Sequence, residues 1–293
     1  MFSLTKKKSA LKGRDQRFSP LFLLWTVILW AWALSLVFVF VWGVLVSLSD
    51  GIYYSASPER IIPKVWRFRN YVDAFTALKI GRLGFFDMLF NSLWVSFGFM
   101  FMRTSVTAIS AYTIARYKFF GKKFLYGFLI LQLMVPLYGQ QTANYQLLFN
   151  LGIVDTPWMV LAWGAGHGMY FLIMHSYFVG LSSTYEEAGR LDGASEFTIC
   201  FKLLMPMAKP MLIAMIISTF TGQWNDYGTV LLYLPSYSTL SAGIFRYRMV
   251  STFTLDWPTY FAGALIAVIP PTILFLMFSE TVMENMTIGG IKG

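Results

Sequence analysis

One polar segment, residues 185–210, interrupts the long apolar runs of this chain and concentrates residues suited to charged or close backbone contacts. The residues with these properties are Glu186, Glu187, Ala188, Gly189, Arg190, Asp192, Gly193 and Ala194. The two glutamates stand near the start of a predicted helix over 183–191, where the helix dipole favours acids. The Asp-Gly pair that follows predicts a turn. We therefore predict a helix-turn-helix that docks on another protein, with a solvated loop as the alternative.

The rest of the chain offers few residues for chemistry. Two histidines, His167 and His175, and one cysteine, Cys200, are too few for a His-rich or Cys-based metal site or for an internal disulfide. The sequence also lacks the G-x-x-x-x-G-K-[ST] loop that wraps nucleotide phosphates, because "GKKF" at Gly121 has neither the first glycine nor the Ser/Thr. We predict no catalytic residue, no metal and no cofactor on this chain.

The composition indicates that lipid surrounds much of the chain. Of its 293 residues 57% are hydrophobic and 13% are charged, and the mean hydropathy is +0.59. Soluble domains contain about 25% charged residues, so one water-soluble core does not account for so much apolar surface. The net charge of +9 would suggest nucleic acid for a soluble protein. In a membrane protein Lys and Arg collect on the cytoplasmic side, so we predict no nucleic-acid partner.

The apolar runs predict six transmembrane helices, at residues 21–49, 88–115, 124–138, 157–179, 211–234 and 260–282. A span needs about 20 apolar residues, and backbone groups in lipid must bond within their own segment, so each span is predicted as a helix. The first run is too long for a cleaved signal peptide and is predicted to be retained. The predicted fold is an all-α, polytopic membrane protein.

Basic residues orient these spans. The clusters before the first span and after the second are Lys6, Lys7, Lys8, Lys12, Arg14 and Arg17, then Arg116, Lys118, Lys122 and Lys123. Because such clusters stay in the cytoplasm, both termini and the segment 183–210 are predicted there, in a plasma membrane (the inner membrane of a Gram-negative cell). The predicted organisation is a basic N-terminus (1–20), a first span (21–49), an outside loop (50–87), a five-span core (88–282) and a cytoplasmic tail (283–293).

The polar segment resembles the "EAA" loop of ABC importer permeases. The matching residues are Glu187, Ala188, Gly189, Asp192, Gly193, Ala194, Phe197, Leu204, Pro206 and Pro210. Gly189 departs from the pattern, which usually has a second alanine there. The remaining matches to the MalG-type carbohydrate permeases, within residues 86–293, are "NSLWVS" at Asn91, "AYTIARYKFFGKK" at Ala111, "WNDY" at Trp224 and the terminal "GGIKG".

This resemblance implies a type I importer permease fold and a carbohydrate substrate. It also implies a homologous second permease subunit, two cytoplasmic ATPase subunits that carry ATP and Mg²⁺, and an external binding protein. Residues 186–194 would occupy a groove on an ATPase and transmit its closure to the spans. Glu187 would make a charged contact there, whereas Asp192 is expected to shape the local backbone. The chain would be a transporter subunit and not an enzyme.

Polar residues in the predicted spans are candidates for a substrate path, because polar groups are costly in hydrocarbon and tend to face cavities. The candidates in the fifth span are Gln223, Asn225 and Asp226, and those near the outer end of the third span are Gln140, Gln141 and Asn144. They suit either binding of sugar hydroxyls or bonding between helices, and the sequence leaves both open. Arg103 is interpreted as extending its charge to the cytoplasmic surface, and the two histidines as packing residues.

The loops predicted to lie outside are more basic than topology requires. Their cations are Arg60, Lys64, Arg67, Arg69, Lys79, Arg82, Arg246 and Arg248. Because a positive rim concentrates a polyanion, we predict an acidic oligo- or polysaccharide such as alginate as the substrate, with docking of the binding protein as the alternative. An ion-driven transporter would show paired broken helices and internal repeats, and a membrane enzyme would show convergent catalytic residues. The sequence indicates neither.

Overall fold

The computed structural model describes residues 20–134, 140–250 and 256–288, and the regular structure of these residues is helical. The α-helices are α1 (Pro20–Ser47), α2 (Gly51–Ala56), α3 (Asn70–Ala77), α4 (Phe85–Arg116), α5 (Lys122–Met134), α6 (Gln140–Asn150), α7 (Trp158–Gly164), α8 (Met169–Gly180), α9 (Thr184–Leu191), α10 (Glu196–Thr198), α11 (Met205–Met207), α12 (Lys209–Asn225), α13 (Gly228–Tyr233), α14 (Leu240–Val250) and α15 (Trp257–Ile288). A π-helical turn, Ile199–Leu204, joins α10 to α11. The basic N-terminus, the end of the third predicted span and "GGIKG" lie outside the described residues.

Several of these helices are suited to crossing a bilayer. Leu21–Ser47, Phe85–Arg116 and Trp257–Glu280 are each long and apolar enough, and they coincide with the first, second and sixth predicted spans. A further pair, Glu196–Met207 and Lys209–Asn225, is long and apolar enough as a unit but bends by 75°. The prediction of an all-α chain with several membrane-crossing helices is confirmed.

Two of the other predicted spans are interrupted helices. The described part of the third span is α5, which covers 13 residues or about 20 Å of helix. The fourth span is divided into α7 and α8 by the residues between Gly164 and Met169. The fifth does not reach its predicted end at residue 234, because α12 stops at Asn225 and Asp226 has an extended backbone. The Asp226 Oδ1 atom then accepts a hydrogen bond of 2.9 Å from the Thr229 N–H at the start of α13.

The long helix α4 is the centre of the bundle. Its N-cap is Gly84, whose N–H donates a 2.9 Å hydrogen bond to the side chain of Asp87. α7, α8 and α12 pack along it. Near its C-terminal end, buried Ala111 belongs to one apolar cluster with Phe171 and Phe178 of α8. The polar residues of the fourth and fifth spans are thereby brought beside one helix.

The predicted outside loop, residues 50–87, is a folded cap. It contains α2 and α3, and the buried Asn70 Nδ2 donates hydrogen bonds to the carbonyls of Ser47 (2.9 Å) and Ser49 (2.7 Å) at the end of α1. Ala74 and Leu78 pack in one cluster with Ala262 of α15. The basic residues of this cap are therefore carried by a platform fixed to two long helices.

Candidate functional site

The polar segment forms the predicted helix-turn-helix. α9 ends at Leu191, and the chain reverses at Gly193, whose φ of +78° is strained for a residue with a side chain. The Gly193 N–H bonds to the Arg190 carbonyl (3.0 Å) and the Ala194 N–H to the Gly189 carbonyl (2.9 Å). These two bonds form a Schellman motif, which satisfies carbonyls that a helix end leaves free. The exposed Asp192 contributes its backbone to this turn, as expected from the sequence.

Glu186 faces the interior of the protein. Its side chain is 10% exposed and its Oε1 lies 3.0 Å from Nε of Arg116, which is 12% exposed. The pair lacks hydrogen-bond alignment, so the attraction is mainly electrostatic. The Nη2 atom of Arg116 also donates a 2.8 Å hydrogen bond to the Leu181 carbonyl, just before α9. We therefore assign Glu186 to anchoring α9 on the end of α4, not to a contact with a partner.

The opposite side of the segment is exposed and largely apolar. We define the contact surface as Tyr185, Glu187, Ala188, Leu191 and Phe197. Leu191 is 89% exposed and Phe197 69% exposed, although both are large apolar side chains. An exposed apolar group with a charged residue at its edge is typical of a protein–protein contact site.

Gly189 and Ala194 lie on the inner side of this surface. A β-carbon on Gly189 would stand 3.1 Å from Cγ1 of Ile199 in the π-helical turn, so the missing side chain allows α9 to approach that turn closely. Ala194 is half-buried against the apolar cluster that contains Ile199. The glycine that departs from the family pattern therefore has a packing role.

An ion pair that the sequence did not reveal fixes the turn. The Arg190 Nε lies 2.8 Å from Glu196 Oε1, and the Tyr117 hydroxyl donates a 2.8 Å hydrogen bond to Glu196 Oε2. Hydrogen bonds from Arg190 and Tyr117 lower the pKa of Glu196, and the same contact raises the pKa of Arg190. Tyr117 follows the last residue of α4, so this contact is a second link between α4 and the segment.

A cavity of about 310 Å³, lined by polar and aromatic side chains, lies between α4, the α7–α8 break and α12. Its lining residues are Phe99, Arg103, Thr107, Trp163, Gly168, Tyr170, Ser218, Thr219, Gly222, Gln223 and Asp226. Gln223 is buried. Two of the predicted path residues, Gln223 and Asp226, are thus brought together in one cavity.

The remaining path candidates lie elsewhere. Asn225 lines neighbouring cavities of about 610 and 340 Å³, and its Nδ2 bonds to the Thr221 carbonyl of its own helix (2.9 Å). Gln141 and Asn144 lie on α6 and do not line the 310 Å³ cavity, and Gln140 is the first residue of that helix. The bond between helices in the "WNDY" motif comes from Trp224, whose Nε1 donates to the Ala267 carbonyl of α15 (2.9 Å).

Arg103 differs from its sequence interpretation. It stands 13 residues before Arg116, about 20 Å along α4 from the end that holds the polar segment. Its guanidinium lies 4.9 Å from the ring centre of Phe99, one turn further from that end, and its Nη2 donates a 3.2 Å hydrogen bond to the Trp163 carbonyl. The charge therefore lies in the cavity wall and does not extend to the end of α4 that holds the polar segment. The feature of the sequence that could have indicated this cavity position is a single cation within an apolar run.

The two histidines have local partners. His167 Nε2 lies 2.8 Å from the Ser110 hydroxyl, and the ring of His175 lies 4.6 Å from that of Tyr126. Both contacts agree with the predicted packing role. Within the described ranges, no three His, Cys, Asp or Glu side chains are grouped to hold a metal.

The outer cap neutralises part of its basic charge. Arg67 pairs with Asp50 (3.6 Å) and Asp73 (3.1 Å), and Arg69 lies 3.5 Å from Asp73. Lys64 lies over the ring of Tyr53. The exposed cations of the cap that join none of these contacts are Arg60, Lys79 and Arg82.

Comparison of the sequence with known proteins finds relatives among transport proteins. A family model described as "Binding-protein-dependent transport system inner membrane component" matches residues 104–284. The galactooligosaccharides transport system permease protein GanQ of Bacillus subtilis is 27% identical over 265 residues, 89% of this chain and 92% of that protein. The maltodextrin transport system permease protein MdxG of Bacillus subtilis is 31% identical over 207 residues, 69% of this chain and 74% of that protein.

A solved structure shares the fold. It is a crystal structure of a bacterial ABC transporter involved in the import of the acidic polysaccharide alginate, and one of its chains superposes with a TM-score of 0.75. The likeness covers 88% of this chain and 95% of that chain at 19% sequence identity. At this identity the likeness shows the fold alone.

Proposed function

We propose, because the chain belongs to the family of binding-protein-dependent transport system inner membrane components, that it forms one half of the membrane pathway of an ABC importer for carbohydrate. The sequence relatives are permeases of transport systems and not enzymes. Their names specify oligosaccharides, which supports a saccharide substrate. A homologous second permease would complete the pathway, and an external binding protein would deliver the substrate.

The contact surface is the proposed docking site for a cytoplasmic ATPase. The observation that carries this proposal is the exposure of Leu191 and Phe197 on a segment that is held to the end of α4 by the Arg116–Glu186 ion pair and by the Tyr117–Glu196 hydrogen bond. An apolar surface on a rigid support can transmit a push, whereas a flexible loop would absorb it. ATP and Mg²⁺ would be bound by the ATPase, whose closure would bias the bundle between two access states.

The path for this motion runs from the segment into α4 and α12. Arg116 is the last residue of α4 and contacts Glu186. The π-helical turn Ile199–Leu204 follows α10 directly and leads through the 75° bend into α12. Both helices line the 310 Å³ cavity. A displacement of the segment would therefore reach both walls of the cavity.

Disulfide cross-linking to the ATPase tests the docking site. Ala188→Cys, on the contact surface, is expected to cross-link to a cysteine placed in the ATPase groove, and the yield should change when ATP is added. Lys123→Cys is the matched control, because Lys123 is exposed near the start of α5, on the same predicted side of the membrane. Equal yields for the two positions, or ATP-driven uptake without any ATPase subunit, would refute the proposal.

We further propose an acidic saccharide as the substrate. The unpaired cations of the cap support a positive outer rim, and Arg248 continues it inward by lining the 340 Å³ cavity together with Asn225. The neighbouring solved structure belongs to an importer of an acidic polysaccharide. Stimulation of the ATPase by binding protein loaded with oligouronate, compared with neutral oligomers of equal length, tests this proposal. Equal stimulation would favour docking of the binding protein as the role of the rim.

A further inference from the structure

We infer that Arg103 binds a carboxylate of the substrate within the membrane part of the pathway. This inference rests on the proposed function and adds a specific ligand group and a residue to it. The 310 Å³ cavity that contains Arg103 is at the lower end of the range of about 300–1,000 Å³ that is usual for small-molecule sites.

The first argument is the position of the charge. Arg103 is on a helix long and apolar enough to cross a bilayer, 18 residues from its first residue, Phe85, and 13 from its last, Arg116. A charge at such a depth is expensive, and it is generally retained where it faces a cavity and has a function. The 310 Å³ cavity is the space that Arg103 faces.

The second argument is the incomplete hydrogen bonding of this guanidinium. One bond, from Nη2 to the Trp163 carbonyl, is present, whereas the buried Nε has no partner among the described residues. The hydroxyl of Thr107, fully buried on the same cavity wall, also has none. Buried polar atoms are nearly always paired. The hydrogen-bonding capacity of this cavity wall is therefore only partly used by the described residues.

The third argument is the chemistry of the surrounding side chains. A guanidinium presents donors in a plane that matches a carboxylate. Gln223, Ser218 and Thr219 on the facing helix add groups that bond to hydroxyls, and Trp163 and Tyr170 add aromatic surface. An acidic sugar ring presents this combination of one carboxylate, several hydroxyls and apolar faces.

Asp226 is the competing partner within the same cavity. It lines the wall with Arg103, but no ion pair within 4 Å joins the two residues in the part of the chain that the structure describes. Asp226 Oδ1 is engaged instead with the Thr229 N–H, at the start of α13. Asp226 therefore does not neutralise Arg103, and the cation is left for a ligand.

The test uses the complete importer in sealed vesicles, with this chain, the second permease, the ATPases and the binding protein. Oligouronate uptake and stimulated ATPase activity are measured together for wild type, Arg103→Gln and Arg103→Lys. We expect Arg103→Gln to lower uptake about tenfold or more, since charge-assisted hydrogen bonds are lost, while ATPase stimulation stays within about twofold of wild type. Arg103→Lys should restore uptake in part, because it keeps the charge without the planar geometry.

The control is Lys123→Gln, which removes one exposed cation outside the cavity and should change neither readout. Unchanged uptake in Arg103→Gln, joint loss of uptake and ATPase stimulation, or a loss that lysine does not relieve would overturn the inference. The wild type separates the remaining cases. If it imports only neutral saccharides, the acidic substrate fails; if it imports none with ATP, the proposed function itself fails.

Discussion

Replacing Glu186 by glutamine removes one charge from the buried pair that holds α9 against the end of α4. The separation of Nε and Oε1 is 3.0 Å, and both side chains are about one-tenth exposed. Glutamine keeps the size of the side chain, so packing is preserved. The uncompensated charge of Arg116 is then left in a poorly solvated position, with the Leu181 carbonyl as its remaining partner.

The magnitude follows from the separation and the burial. Two unit charges 3.0 Å apart attract by about 5.5 kcal/mol at an effective dielectric constant of about 20. Burial offsets part of this attraction, and loss of one partner from a buried pair usually costs about 3–5 kcal/mol. Because Arg116 keeps one carbonyl partner, we expect a value near the lower end, about 3 kcal/mol. That change would shift the equilibrium between attached and detached segment by on the order of 100-fold.

The assay compares Glu186→Gln with Glu187→Gln, a matched control whose side chain is exposed on the same helix. We expect only Glu186→Gln to lower the thermal unfolding midpoint, because Glu187 is exposed on the contact surface. The double variant with Arg116→Gln should be less destabilised than the sum of the single variants, because it leaves no buried charge unpaired. Equal midpoints for the two glutamate variants would refute the reasoning.

Three further outcomes concern the same segment. Gly193→Ala should destabilise the turn by roughly 1–2 kcal/mol because φ is +78° there, whereas Gly127→Ala, in a helix with open space, should not lower the unfolding midpoint. Leu191→Asp should reduce co-purification of the ATPase without lowering that midpoint, since the side chain is 89% exposed. Because the pKa of Glu196 is lowered in the folded protein, its ion pair stabilises the fold fully above the pKa of free glutamate, and this stabilisation is lost as pH falls through the lowered pKa. The difference in unfolding midpoint between wild type and Glu196→Gln should therefore shrink on acidification.

The helix-turn-helix was predictable because its signals are local. Acids at a helix start, an Asp-Gly pair and small residues act within a few positions of the chain. The Schellman bonds around Gly193 agree with that pattern. The three long apolar helices were predictable for a similar reason, since a span is defined by the length and composition of one continuous run.

The inward role of Glu186 was not predictable in the same way. Adjacent glutamates look equivalent in the sequence, and 70 residues separate Glu186 from Arg116. Only the packing of α9 beside α4 decides that one acid is buried and its neighbour exposed. The breaks at residues 165–168 and at Asp226 were not predicted, because each lies within a segment that is long enough to be read as one span despite its Gly, His, Asn and Asp residues.

The sequence by itself determined the helical class, the apolar composition and the presence of a small-residue helix-turn-helix, because these depend on composition and on neighbours along the chain. The tertiary structure decided which polar groups meet. It places Arg103 in one cavity with Gln223 and Asp226, which follow it by more than a hundred residues in the sequence. The physical reason is that burial and charge act through space, so the partner of a buried polar group is fixed by how the helices pack.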